Sequence, residues 1–392
     1  MTARTLLAVY FSYVAVSYFF FYLYLPTEFL ISLLLTKTQL TMKKLFLSLV
    51  ALICAMTANA QQTEATTATL QTGDVSKVFY GINALTSALA EAQDGSIITL
   101  SSGSFNVPGN IDKSVKIYGA GYLDDTETGV GRTLLNGAIT MNGIYNEHKD
   151  NIYMEGLYIN GDININNASN DELIAGFKIV KCSFNTINIR EHCDQFVIRQ
   201  CYVRGAIYGY STTATGFTIE NSWIGWRIDG FNAETSGIIV KNNVLAFYSS
   251  YSSDGYNGPY YYENCIINNR GVQGGAVLVN CLGWQGSMSN NSLNTTTNCY
   301  YQPEWIDWAT FFADHQNDLN FLDADNKARK WVLNNPTKFA GTDAKAVGPT
   351  GGDFPWDLIP STPRITQSTI ASKTVDGKLS ISIKAEARPV SE

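Results

Sequence analysis

The chain has 392 residues, of which 45% are hydrophobic and 16% are charged, and its formal net charge is −7. This composition supports a packed core and excludes general disorder. The negative net charge gives no electrostatic support to nucleic-acid binding. The three histidines lie far apart in the sequence, so we expect no His-rich metal site.

Two apolar segments precede the part of the chain that we expect to fold. Residues 42–60 have a short positive start, an apolar run and an Ala58-Asn59-Ala60 cleavage pattern, which together make a secretory signal peptide. Because such a signal acts at a free N-terminus, we interpret residues 1–41 as an extension ahead of the biological start. The alternative is a membrane segment, since residues 5–25 are uncharged and a span needs ~20 residues.

The signal peptide predicts an exported protein, located in the periplasm, at the cell surface or outside the cell. The alternative is a protein anchored by its N-terminal segment, which is then its one expected contact with a membrane. We expect residues 61–74 to form a linker to the folded part of the chain.

A six-residue pattern recurs between residues 177 and 281 and indicates short strands. Its first position is usually large and apolar, its third is apolar or Tyr, and its sixth is Cys, Ser or Asn. Successive copies begin 19, 21, 21, 22 and 16 residues apart. The copies are residues 177–182, 196–201, 217–222, 238–243, 260–265 and 276–281.

Strands this short, with no helical pattern between them, cannot be βαβ units. They fit a solenoid in which each coil stacks ~4.8 Å above the previous one. We therefore predict an all-β fold, a right-handed parallel β-helix over residues 75–360. Apolar residues at helical spacing from 82 to 92 predict an N-terminal capping helix. Alternating apolar residues at 379–383 predict a β-hairpin or cap over 361–392 that covers the C-terminal edge.

Two positions of the repeat carry specific expectations. The sixth position includes Cys182 and Cys201, and then Cys265 and Cys281, which we expect to be stacked, buried thiols. Disulfides are the alternative, because adjacent coils lie within disulfide range. The fourth position alternates in charge, and we interpret it as a row of ion pairs on a solvated face. That row is Arg199, Glu220, Lys241 and Glu263.

The start of the folded region resembles a known family. Residues 84–100, the turn at Gly103-Ser104-Phe105 and the strand end at Gly119-Ala120-Gly121 resemble the opening of secreted bacterial β-helix proteins of the pectin-lyase-like superfamily. Residues 340–348 are similar to the closing rung of many such proteins. The resemblance implies the fold and leaves the activity open, because the superfamily holds lyases, hydrolases, epimerases and adhesins. It implies Ca²⁺ only if the protein is a lyase, and otherwise we expect no cofactor.

Candidate catalytic residues are Arg204, Arg227 and Asp229. An arginine beside an acid could neutralise a uronate and abstract its C5 proton, as the resemblance to lyases implies. No Asp-Asp pair, Gly-His-Gly segment or Arg-x-Lys pair lies in the segment around Arg227 and Asp229.

Candidate ligand-binding residues are aromatic, because exposed rings stack on the faces of sugars. They are Trp223 and Trp226, and in a Tyr-rich segment Tyr248, Tyr251, Tyr256 and Tyr260. The alternative for the Tyr-rich segment is that these rings pack it against the wall of the solenoid.

The leading functional hypothesis is binding of glycans or surface partners along one elongated face, without catalysis. One alternative is a polysaccharide lyase or glycoside hydrolase that acts on acidic polysaccharide. Another is a purely structural surface protein.

Overall fold

Parallel strands stacked in register form the main body of the protein. The computed structural model describes residues 66–125, 128–141, 152–165, 174–189, 193–209, 216–231, 237–246, 261–268, 276–284, 295–302, 308–313, 319–371, 373–375 and 377–388. Within these residues the chain is an all-β parallel solenoid, which confirms the fold predicted from the repeat. The predicted signal peptide and the apolar segment ahead of it lie outside the described residues. Among those described, no helix has the length and apolarity that a membrane crossing requires.

Sheet A is the longest of three sheets that run along the solenoid, with 12 strands in the described residues. Its strands are β1 (Thr67–Thr72), β2 (Val75–Tyr80), β3 (Ile97–Leu100), β5 (Lys116–Tyr118), β8 (Tyr153–Glu155), β12 (Lys178–Val180), β16 (Val197–Arg199), β19 (Thr218–Glu220), β22 (Ile239–Lys241), β24 (Tyr261–Glu263), β26 (Val277–Val279) and β28 (Thr295–Thr297).

Sheet B follows sheet A around each coil and has 10 strands in the same part of the chain. They are β4 (Gly103–Asn106), β6 (Thr133–Asn136), β9 (Tyr158–Asn160), β13 (Ser183–Phe184), β17 (Tyr202–Val203), β20 (Trp223–Ile224), β23 (Val244–Leu245), β25 (Ile266–Ile267), β27 (Leu282–Trp284) and β29 (Tyr300–Gln302).

Sheet C completes the coil, with five described strands. They are β7 (Ile139–Met141), β10 (Ile163–Ile165), β14 (Ile187–Ile189), β18 (Ile207–Gly209) and β21 (Ile228–Asp229). Two short pairs lie outside the three sheets. They are the parallel pair β11 (Ile174–Ala175) and β15 (Cys193–Asp194), and the antiparallel pair β30 (Arg364–Ile370) and β31 (Ile381–Glu386).

Equivalent positions of the repeat lie directly opposite one another in neighbouring strands. Ile179 pairs with Ile198, Ile198 with Ile219, and Ile219 with Val240. Each of these third-position side chains is at most 1% exposed, so they form a continuous column inside the solenoid. Complete burial of a side chain of this size stabilises the fold by roughly 1.5–3 kcal/mol.

The bend between sheets A and B is made by the fifth position of the repeat, which adopts the left-handed conformation. Asn tolerates this conformation better than most residues, which explains why it recurs at this position. The residues, with φ between 47° and 55°, are Lys181, Gln200, Asn221, Asn242, Asn264, Asn280 and Asn298.

The sixth position forms a stacked column, as predicted. The backbone N–H of Cys201 donates to Oγ of Ser222 at 3.0 Å, and the N–H of Ser222 donates to Oδ1 of Asn243 at 2.8 Å. Farther along the axis the N–H of Cys281 donates to Sγ of Cys299 at 3.4 Å. Cys182, Cys201, Cys265 and Cys281 are buried and form no disulfide in the described part of the chain, so the prediction of buried thiols holds for these four residues.

These thiols should resist alkylation in the folded protein. Burial raises the pKa of the Cys201 thiol to about 12 and raises that of Cys182, so both stay protonated at neutral pH, and the thiolate is the reactive form. Mass mapping after alkylation at neutral pH should find both unmodified in buffer and both modified in denaturant without reductant. Modification only after reduction would contradict the thiol column.

The N-terminal end of the solenoid is covered by a helix and two antiparallel strands. Helix α1 (Ala84–Glu91) lies within the predicted segment and buries Leu85 and Leu89, whereas Ile82 precedes the helix and is exposed. Strand β1 pairs antiparallel with β3 and closes the edge of sheet A, and β2 pairs with β1. The segment expected to be a linker therefore contains strand β1.

Residues 342–362, which we name the strap, run back along the bend between sheets A and B. Asn264 contacts Thr342, Asn242 and Asn221 donate to strap carbonyls, and at the far end the Thr362 hydroxyl donates to the carbonyl of Gly119. Residues 340–348, expected to be the closing rung, form no strand of the three sheets and instead begin this return path.

The strap changes the interpretation of the fourth-position row. Two of the expected ion pairs are present, because Glu220 lies 2.7 Å from Nε of Arg199 and 3.0 Å from Nζ of Lys241. Arg199 and Glu220 are only 8% and 2% exposed, however, and the Arg199 guanidinium lies 3.4 Å from the ring centroid of Phe354 in the strap. The prediction of a solvated face was wrong here, because a distant segment covers these charges.

A buried carboxylate holds the last part of the strap. Glu155 is fully buried and accepts hydrogen bonds from the backbone N–H of Ser361 at 2.7 Å, from its hydroxyl at 2.6 Å and from the hydroxyl of Tyr153 at 2.9 Å. Burial, and then the nearby Glu155 carboxylate, raise the pKa of the Tyr153 hydroxyl. The predicted hairpin, β30 and β31, starts two residues beyond Thr362, beside the N-terminal coils rather than at the C-terminal edge.

Removal of one strap contact should measurably destabilise the protein. Nδ2 of Asn221 donates to the carbonyls of Pro349 at 3.0 Å and Gly351 at 2.7 Å. We expect Asn221→Ala to lower the free energy of unfolding by about 2–4 kcal/mol, because both buried carbonyls lose their donor. Asn298→Ala is the matched control, since Asn298 has the same backbone conformation but is exposed. Equal urea-unfolding midpoints for the two variants would contradict the role of the strap.

Candidate functional site

An apolar layer covers much of the outer face of sheet B. Side chains between residues 308 and 347 pack onto outward residues of that sheet, among them Val244, Ile266 and Leu282. The layer includes Trp308, Phe311, Phe312, Leu319, Phe321, Trp331, Leu333, Phe339 and Val347. A short 3₁₀-helix (Trp308–Thr310) lies at the start of this layer. These coils of sheet B therefore face protein rather than solvent.

The outer face of sheet C carries a row of polar and aromatic side chains in register. Asn164 lies opposite Asn188, Asn188 opposite Tyr208, and Tyr208 opposite Asp229. Nδ2 of Asn188 donates to Oδ1 of Asn164 at 2.8 Å, so amides interact from one coil to the next. All four side chains are half-buried, and together with Thr140 they form a polar strip parallel to the axis.

One end of this strip carries what we name the Trp226 cluster, formed by Tyr208, Trp226, Arg227 and Asp229. The guanidinium of Arg227 lies 4.6 Å from the ring centroid of Trp226 and 4.9 Å from that of Tyr208. Its Nε donates to the hydroxyl of Tyr208 at 2.8 Å, and Nη1 lies 3.7 Å from a carboxylate oxygen of Asp229. The guanidinium of Arg227 thus contacts the rings of Trp226 and Tyr208 and lies beside the carboxylate of Asp229.

The Trp226 cluster combines an exposed ring with polar groups of both signs. Trp226 is 41% exposed, while the side chains of Arg227 and Asp229 are 21% and 19% exposed. A sugar offers an apolar face and a rim of hydroxyls, which match a ring and a set of hydrogen-bonding groups. Tyr208 was not among the residues predicted from the sequence, although it lies 21 residues before Asp229, which is one coil of the repeat.

Trp223 lies on a different face from Trp226. Its side chain is 9% exposed, its indole N–H donates to the carbonyl of Leu319 at 2.7 Å, and its ring packs against Tyr202 and Phe321. The structure therefore places Trp223 beneath the apolar layer and does not bring it together with Trp226.

Arg204 is also separated from the other two candidate catalytic residues. Its Nη1 donates to the hydroxyl of Tyr158 at 2.8 Å and its Nη2 to the carbonyl of Ile159 at 2.7 Å, both on sheet B. Arg227 and Asp229 contact each other and Tyr208 on sheet C. Arg227 and Asp229 thus form a pair on sheet C, whereas Arg204 contacts residues of sheet B.

The Tyr-rich segment stays a prediction. Tyr248, Tyr251, Tyr256 and Tyr260 lie in the sequence between β23 and β24, outside the described residues. In the part of the chain that the structure covers, no group of three or more His, Cys, Asp or Glu side chains is arranged to hold a metal ion.

Comparison of the chain with family models, with curated proteins and with solved structures finds no match in any of the three.

Proposed function

We propose that the chain is an exported β-helix protein that binds glycans along the outer face of sheet C, without catalysis. The observation that carries this proposal is the Trp226 cluster, where an exposed indole lies beside a cation, a phenol and a carboxylate. The resemblance of residues 84–121 to the pectin-lyase-like superfamily supports the β-helix part of this proposal and does not distinguish binding from catalysis, because that superfamily holds lyases, hydrolases, epimerases and adhesins. The signal peptide supports export.

The polar strip supports a ligand that is extended rather than compact. Amides and hydroxyls of Thr140, Asn164, Asn188 and Tyr208 recur at the strand spacing of ~4.8 Å, so a polymer laid parallel to the axis meets similar groups at each coil. Asn and Tyr side chains donate and accept hydrogen bonds, which suits sugar hydroxyls. The ring of Trp226 then contributes stacking at one end of the bound chain.

A lyase or hydrolase that acts on acidic polysaccharide is the second candidate. It is favoured by the short distance between Arg227 and Asp229, because a cation that binds a uronate beside a carboxylate base is the pair that C5 proton abstraction requires. Ca²⁺ belongs to this candidate alone. A third candidate, a structural surface protein, needs neither the exposed ring nor the ion pair.

Loss of the exposed indole should weaken glycan binding. On a glycan array followed by titration of the best ligand, we expect Trp226→Ala to raise the Kd by about tenfold or more, since stacking and desolvation at one ring contribute on the order of 1.4 kcal/mol. The matched control is Tyr80→Ala, which removes a 71% exposed ring from an edge strand at the N-terminal end. If the wild-type chain is not retained on the array, or if Trp226→Ala and Tyr80→Ala weaken glycan binding equally, the structural candidate is favoured.

Catalysis is tested separately with uronate polymers. Non-catalytic binding predicts no ultraviolet absorbance from unsaturated uronate products and no new reducing ends after prolonged incubation, with or without added Ca²⁺. Either signal, abolished by Arg227→Gln or Asp229→Asn, would replace the binding proposal with the enzymatic one.

A further inference from the structure

Two arginines meet at one tyrosine on the outer face of sheet B, near the N-terminal coils. The guanidinium of Arg132 lies 4.6 Å from the ring centroid of Tyr158, and that of Arg204 lies 4.7 Å from the same centroid. Arg132 precedes β6, Tyr158 begins β9, and Arg204 follows β17, so the two cations reach towards the ring from different coils. All three side chains are half-buried and therefore partly open to solvent.

Among the described residues, the guanidinium of Arg204 donates hydrogen bonds only to neutral groups. Arg204 donates to a phenol and a backbone carbonyl, and its Nε is buried without an acceptor. Within the described ranges, the guanidinium of Arg132 has no hydrogen bond, and neither arginine forms an ion pair. Asp124 lies close by in the chain, but its carboxylate accepts from the backbone N–H of Arg132.

Two partly buried cations without a counter-charge are costly in a folded protein. They are unexpected here, because the chain as a whole carries a net charge of −7 and pairs Arg199, Lys241 and Arg227 with carboxylates elsewhere. Carboxylate, sulfate and phosphate groups are the ligands that guanidinium groups bind most strongly.

The neighbouring Tyr202 adds a second phenol to the same surface. Burial raises the pKa of the Tyr202 hydroxyl, and the positive charge of Arg204 opposes this rise. The ring of Tyr202 stacks on Phe321 of the apolar layer at 4.0 Å between centroids, so the layer reaches the strand that Arg204 follows.

We propose that Arg132, Tyr158 and Arg204 form an oxyanion-binding site, which takes the carboxylate or sulfate groups of an acidic glycan or a free inorganic oxyanion. The site does not rest on the proposed function of sheet C, because it uses other residues on another sheet.

The test is calorimetric titration of the full chain with three probes, namely a uronate trisaccharide, a neutral glucose trisaccharide and sodium sulfate, at low and high ionic strength. We expect an anionic probe to bind and the neutral one not to bind at this site, with affinity falling as salt rises. Arg132→Gln should weaken anion binding by about tenfold or more, since the variant loses a charge-assisted hydrogen bond to the anion. Arg132→Lys, which keeps the charge, should retain part of the affinity.

The matched control is Lys178→Gln, which removes one positive charge from the outer face of sheet A and should change anion affinity less than twofold. Arg132→Gln should leave retention on the neutral glycans of the array unchanged, because it does not alter the Trp226 cluster, so failure of the oxyanion site and failure of the sheet C proposal give different results. Preference for uronate over sulfate identifies an acidic glycan as the source of the anion, and the reverse identifies a free oxyanion. If neither anionic probe binds, or if Arg132→Gln and Lys178→Gln lose equal anion affinity, the proposal of an oxyanion site is overturned.

Discussion

The structure depends on one constraint, namely that each coil must repeat the path of the previous one at the spacing of hydrogen-bonded parallel strands, ~4.8 Å. A residue is therefore surrounded by its own equivalents above and below, as Ile198 is by Ile179 and Ile219. The third positions of the repeat form an apolar column inside the solenoid, and the fifth positions all adopt the left-handed conformation at the bend. The sixth positions form a column of small side chains that hydrogen-bond from one coil to the next. Any coil that departed from the register would expose these columns.

The same constraint leaves outer columns of polar groups that other segments must cover or that ligands can reach. The strap covers the bend between sheets A and B and buries Glu155 and Glu220 with their partners. The apolar layer covers sheet B over Trp223 and the coils that follow. The strip on sheet C and the arginine pair at Tyr158 remain partly open, and these are the two places where we propose ligands.

Features that repeat could be predicted from the sequence, and features that do not repeat could not. The spacing of the copies predicted the solenoid and the thiol column at Cys182 and Cys201, because stacking turns sequence periodicity directly into neighbours. The strap has no such periodic signal. Its backbone carbonyls accept hydrogen bonds from the side chain of Asn221, and a backbone carbonyl is present whatever side chain the strap residue carries. Burial of the Arg199–Glu220 pair was missed for this reason. The separation of Arg204 from Arg227 was not predicted. The side chain of Arg204 extends two coils back to Tyr158 on sheet B, whereas that of Arg227 contacts Tyr208 on sheet C.

The in-register stack is tested most directly by distances between outward positions of sheet A. Spin labels introduced as unnatural amino acids at Lys178, Ile239 and Val277 occupy one column, with Ile239 three coils and Val277 five coils from Lys178. The stack predicts backbone separations of about 14 Å and about 24 Å, each with a narrow distribution. Separations that do not follow this three-to-five ratio, or broad distributions for both pairs, would contradict the fold and every functional proposal built on it.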